Sequence, residues 1–132
     1  MPEIAIMQPT YLPWLGFFDL MRRVDTFVVY DCAQFSKQSW HQRNRLRGPH
    51  GAVHLSLPIA TAGKLGQSIR EAEIVEPARA ALKHRRTIEQ LYRKAPGFAR
   101  VFPLLAEIYD DPPANLLDCN LAFIRVARDC FG

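Results

Sequence analysis

Two short apolar runs near the amino terminus constrain the fold more than any other feature. Ile4-Ala5-Ile6-Met7 and Phe27-Val28-Val29-Tyr30 have the length and composition of buried strands. The first runs into Gln8-Pro9-Thr10-Tyr11-Leu12-Pro13-Trp14-Leu15-Gly16, and the second into Asp31 and the polar segment Gln34 to Arg45. Pro9 and Pro13 block sheet and helix continuation, so the first polar stretch is a loop. Leu15, Phe18, Leu20 and Met21 then mark a short helical stripe to about Arg23. A right-handed crossover through that helix makes the two strands parallel neighbours. The first is expected to be central, with both faces covered. Polar groups released at the carboxyl ends of such strands converge in one crevice, which is where open α/β sheets bind ligands.

The rest of the chain fits around this unit. Partial alternation from Ala52 to Ile59 (Val53, Leu55, Leu57, Ile59) predicts a third strand ending at or just after Pro58. Ala62 to Gly66 reads as a surface loop, and Ile69 to Val75 as a short edge strand. Pro77 suits a first helical position, and a helix runs to about Lys94, closed by Ala95-Pro96-Gly97. Phe98, Val101, Phe102, Leu105 and Ile108 mark a second helix, in which Pro103 predicts a bend or a late start. A last helix from about Asn115 to Cys130 is apolar on several sides and expects further structure to cover it. The class is α/β: a small mostly parallel sheet flanked by helices, with a helical carboxyl-terminal half, in one domain over residues 1–132.

Composition narrows the function. The chain is 48% hydrophobic and 23% charged, which excludes a disordered or fibrous protein. A net charge of +4 suits an anionic small-molecule substrate, and by itself does not argue for nucleic acid. No apolar run approaches the ~20 residues of a membrane span. A strand begins at once, without a secretory leader pattern, so a cytoplasmic location is expected. The cysteines (Cys32, Cys119, Cys130) are odd in number and lack metal-ligand spacing, and His50 and His54 lack carboxylate partners. We therefore expect reduced thiols and no metal; no cofactor can be named.

Candidate site residues follow from position. Gln8 can donate and accept at the end of the first strand, and Tyr11 and Trp14 offer stacking faces with polar tips. Asp31 stands where α/β folds place acids that act as bases or bind amines and hydroxyls; a turn-capping role is the bland alternative. Cys32 has no histidine at a nucleophile's spacing. Lys37, Trp40, His41, Arg43, Asn44, Arg45 and Arg47 form a basic, aromatic cluster that reads as a phosphate-binding edge, an RNA strip or a solvated loop. If extended, Arg43 and Arg45 share a side with His41, and Asn44 faces the other way. On the helix after Pro77, Lys83, Arg86, Gln90 and Arg93 form one stripe, while His84, Ile88 and Leu91 face the core. Lys83 reaches the anion if this helix crosses the sheet top. Asp31, Gln8 and Lys37 are thus the catalytic candidates; Tyr11, Gln34, Trp40, Arg43, Asn44, Arg45 and Lys83 are the substrate-binding ones.

The run Ile4 to Phe18, the run Asp25 to Phe35, and Lys37, Trp40 and Arg43-Asn44-Arg45 closely resemble the opening of the WbqC-like family. Lys83, Thr87-Ile88-Glu89, Tyr92 and Lys94-Ala95-Pro96-Gly97-Phe98 are similar to further family landmarks. Members are longer, and this chain resembles their amino-terminal part. The resemblance implies a truncated product, an oligomer or a complementing chain. It also implies a place in bacterial surface polysaccharide (O-antigen) biosynthesis. The corresponding chemistry is a metal-independent transferase moving an acyl or aminoacyl group to an amino sugar or nucleotide-linked sugar. Its matching polar positions here are Gln8, Tyr11, Asp31, Gln34, Lys37, Arg43 and Asn44, while a second acid common in relatives is replaced by Cys32. The alternatives are a basic nucleic-acid-binding module and an inactive remnant.

Overall fold

The structure, a computed structural model, describes residues 1–132. Strands β1 (Ile4–Met7) and β2 (Thr26–Val29) form a parallel pair joined by helix α1 (Leu15–Arg23). Tyr30 N–H donates to the Met7 carbonyl at 2.8 Å, so the ladder runs to the last residue before each polar segment. Phe17 and Phe18 of α1 pack with Met7, Phe27 and Ile124 on one face of the pair. The other face is bare: Ile4 and Ile6 are 64% and 63% exposed, and Val28 and Tyr30 lie beside them in the open. This corrects the expectation of a strand covered on both faces. One crossover helix covers one face, and the remaining helices gather elsewhere.

They gather around a separate antiparallel hairpin, β3 (Arg43–Gly48) and β4 (Gly51–Ser56). The third strand expected over 52–59 therefore exists in shortened form, paired with the arginine-rich segment and not with β1. Gly51 closes the hairpin at φ +127°, which a side chain would resist. Leu55 and Leu57 point into the main core.

Ile69 to Val75 is not an edge strand. Residues Ile69–Glu71 form a single 3-10 turn, and Ile74 makes only an isolated bridge to Ile59. The reason is local. The Ser68 and Glu71 side chains and backbones cap one another, and Ile69, Ala72 and Ile74 all bury their side chains. Helices α2 (Pro77–Tyr92), α3 (Phe98–Asp110) and α4 (Leu116–Phe131) follow. Pro103 lies inside a continuous α3, neither delaying nor breaking it. Ala99, whose carbonyl loses its partner, is exposed, so water can serve it. The α/β class and the helical carboxyl-terminal half are as expected.

One hydrogen-bond chain joins these parts. Tyr11, fully buried, contacts the Nδ1 of His84 on α2 at 2.7 Å and the hydroxyl of Tyr109 on α3 at 2.5 Å. His84 Nε2 lies 3.1 Å from the Ser56 carbonyl at the end of β4. A carbonyl only accepts, so Nε2 carries the proton, Nδ1 accepts from Tyr11, and Tyr11 accepts from Tyr109. Phe123 of α4 packs edge-on against the Tyr11 ring at 5.7 Å. Burial drives the His84 pKa down to about 4; the Ser56 bond opposes this, and Lys83 adds to it. Burial likewise raises both tyrosines and pushes the Cys119 thiol up to about 12. The chain is neutral throughout at pH 7. Because the folded-state pKa of His84 is depressed, its contribution to stability is complete above pH 6.5. It is lost as pH falls from there toward about 4.

Replacing Tyr11 by Phe removes the donor to His84 and the acceptor for Tyr109 and leaves both partners buried. The expected cost is about 1–3 kcal/mol of unfolding free energy, read by urea denaturation. A loss below ~0.5 kcal/mol would show that the chain does not hold the core together.

Candidate functional site

Parallel pairing places Met7 beside Val29, so Gln8 and Asp31 leave neighbouring strands at the same end. This is the strand-end position expected from the sequence. Each side of it is built by a different loop.

On the β1 side, Gln8 Oε1 lies 2.6 Å from His41 Nε2. Ser36 N–H donates to His41 Nδ1 at 3.3 Å, so Nε2 holds the proton and donates to Gln8. Burial lowers the His41 pKa, which keeps the ring neutral. With its oxygen engaged, Gln8 presents its amide NH₂ as the group available to a ligand. The loop carrying His41 is fixed from several directions. Asn120 of α4 donates to the His41 carbonyl at 2.9 Å, and Gln42 exchanges bonds with Leu57 through its side-chain and backbone atoms.

On the β2 side, the Cys32 thiol donates to the Asp31 carboxylate at 3.3 Å, and the Arg70 guanidinium stands 3.9 Å from Cys32 Sγ. Arg70 arrives there because the 3-10 turn lies along residues 31–34. Its own N–H donates to the Asp31 carbonyl, Ile69 N–H donates to the Ala33 carbonyl, and Gln34 bridges to Ser68. Gln34 and Lys37 continue from this side into a cleft of about 380 Å³. Two of the sequence candidates, Gln34 and Lys37, therefore share one cleft, and Asp31 lies at the start of the segment that leads into it.

The others take different places. The Tyr11 hydroxyl is spent in the core, so it does not reach the crevice. The Asn44 amide donates to the carbonyls of Tyr11 (3.2 Å) and Leu12 (2.6 Å), clamping the β1 loop from β3. Leu12 is held there at φ +48°, a left-handed conformation that a branched side chain resists. Tyr11 N–H donating to the Trp40 carbonyl at 3.0 Å completes the clamp. Asn44 thus faces away from Arg43 and Arg45, as its spacing predicts. The Arg45 guanidinium lies over the exposed Trp40 ring at 5.5 Å. Arg43 shares that face of β3 and makes no ion pair. Lys83 borders a different cleft, of about 460 Å³, with Arg79, Glu76, Ser56 and His84. Nowhere do three His, Cys, Asp or Glu side chains cluster as metal ligands do. No helix is long and apolar enough to cross a membrane.

Comparison with known proteins agrees with the resemblance noted in the opening strands. The WbqC-like protein family matches residues 8–132. The chain belongs to that family. A Mycobacterium tuberculosis protein described as uncharacterized, Rv1507c, is 38% identical over 133 residues, taking in 100% of this chain. The chain spans 57% of that relative's length. No solved structure matches. The WbqC-like match covers the Gln8 loop, the Asp31 turn and the Asn44 clamp together. Arg70 was missed by sequence reasoning, because a single arginine in a short turn carries no spacing signal.

Asn44→Leu keeps the side chain's bulk and removes both bonds to the strained loop. We expect a loss of about 1–3 kcal/mol in urea denaturation. A variant as stable as the parent would mean that the loop holds its shape without the clamp.

Proposed function

We propose that this WbqC-like protein is a metal-independent group-transfer enzyme with an anionic substrate, its reaction set in the crevice between Gln8 and Asp31. One observation supports the reading: Gln8 and Asp31 leave the carboxyl ends of two adjacent parallel strands, and the Arg70 guanidinium stands 3.9 Å from the Cys32 sulfur that bonds Asp31. The favoured reaction is acyl or aminoacyl transfer to the amine of an amino sugar or nucleotide-linked sugar. The surrounding process is bacterial surface polysaccharide biosynthesis, and the site of action is the cytoplasm. As the amine nitrogen bonds to the acyl carbon, Asp31 takes the proton it sheds, and the donor's leaving group departs with the electron pair. Arg70 and Lys37 counter negative charge, while Gln8 and Gln34 orient the acceptor. The bare apolar face of β1–β2 supports a reading in which an oligomer partner or a complementing chain completes this unit.

A second reading has its own support. Arg43, Arg45 and Arg47 alternate along β3 beside Trp40, as in a strip that tracks a nucleic-acid backbone. Such binding weakens steeply with salt. Weak or salt-insensitive RNA binding removes it.

Asp31→Asn keeps the shape and removes the base. With acyl donors and amino-sugar acceptors assayed by mass spectrometry, we expect a fall in transfer rate of about 10²-fold or more, with folding intact. A rate within a few-fold of the parent would remove Asp31 from the chemistry.

A further inference from the structure

The cleft that receives Gln34 and Lys37 holds residues that the sequence reading passed over. Lys64 and Thr61 form its far wall, Ser36 and Gln67 lie along it, and no acidic side chain lines it. All six ion pairs of the chain are made by arginines, so Lys37 and Lys64 enter it unpaired. The Glu71 carboxyl is held below its ordinary value first by its hydrogen bonds with Ser68, with Arg70 and Lys64 adding to this. That carboxylate is held by the Ser68 hydroxyl at 2.8 Å and by the Ser68 N–H at 3.3 Å.

The loop behind Lys64 is set by its backbone. Gly63 and Gly66 sit at φ +69° and +78°, with nothing within 4 Å of a Cβ at either, so backbone shape and not crowding calls for glycine. Lys64 N–H bonds to Thr61, and Gln67 N–H bonds to Lys64. The turn thereby puts Lys64 and Gln67 on the same cleft.

Gln67 forms part of the wall. The residue is 9% exposed, and its Nε2 donates to the Ala60 carbonyl at 3.0 Å, which fixes the other side-chain atom as oxygen. That oxygen, Oε1, is buried and is not offered to a ligand, so recognition in the cleft falls to the lysines. Two ammonium groups ask for an oxyanion.

We infer that this cleft binds a small oxyanion, a phosphate or carboxylate held between Lys37 and Lys64. This names the substrate class for the group-transfer reading and rests on it: the anion is held here and the rest of the substrate extends past Gln34 toward Asp31. A volume of about 380 Å³ is in the range of small-molecule sites.

Isothermal titration of the full chain with glucose 1-phosphate, glucuronate, inorganic phosphate and methyl glucoside tests it. Glucose 1-phosphate, glucuronate or inorganic phosphate should bind, and the tightest of them identifies the anion. Methyl glucoside should not bind. Lys64→Ala, on the exposed rim, should weaken binding about tenfold. No binding of any anion to the folded chain, or an affinity untouched by Lys64→Ala, overturns the inference. The two readings fail separately. Binding with no transfer from any acyl donor defeats the reaction and leaves the cleft. Transfer that persists at the parental rate in Lys64→Ala, without anion binding, defeats the cleft and leaves the reaction.

Discussion

The hydrogen-bonded chain from Tyr109 through Tyr11 and His84 to the Ser56 carbonyl is the constraint on which the rest of the molecule depends. It ties four elements that are otherwise distant in sequence: the loop after β1, the end of β4, and helices α2 and α3. Its three side chains are buried, and each polar atom has a partner in a fixed direction, so the alternatives are a complete chain or several orphaned groups. Aromatic packing of Tyr11 and Tyr109 on Phe123 brings α4 into the same cluster. The core is therefore specified by directional bonds as well as by apolar volume.

That anchor also sets the candidate site. With Tyr11 immobilised inside, Gln8 three residues earlier is delivered to the mouth of the strand pair, and Leu12 one residue later is forced into a left-handed conformation that Asn44 secures. His41 then meets Gln8 because its own loop is bonded to Trp40–Tyr11 on one side and to Asn120 on the other. On the opposite side the 3-10 turn carries Arg70 to Asp31 and Cys32, and its preceding glycine loop carries Lys64 and Gln67 to Lys37. The same short segment thus serves the reaction centre and the anion cleft. The bare side of β1–β2 lies next to this machinery, and the curated relative has a longer chain than this one.

Much of this was legible in residue order. The βαβ opening declares itself through two apolar tetrads and two prolines, and strand-end position alone picks out Gln8 and Asp31. The three helices follow from apolar spacing and from Pro77 and Asn115 at their starts. Other features were hidden for physical reasons. Tyr11 has the chemistry of a ligand-stacking residue and of a core residue alike; its partners lie 73 and 98 residues away, so no local pattern separates the two. Strand β3 reads as a charge run because its inward positions are Asn44 and Leu46, only one of them apolar. The Ile69 turn mimics a strand because its buried residues fall at irregular intervals. Gln67 is polar by type, and only its burial shows that it lacks a partner for Oε1.

The most direct test of the central chain is the ¹⁵N chemical-shift titration of His84 by NMR, read together with unfolding free energy across the same pH range. The structure predicts a neutral, Nε2-protonated ring at pH 7 that titrates with a midpoint of about 4. The His84 contribution to stability is then complete above pH 6.5 and falls by roughly 3 kcal/mol between there and about pH 4. A His84 ring that titrates near 6.5, or that carries its proton on Nδ1, would contradict the account.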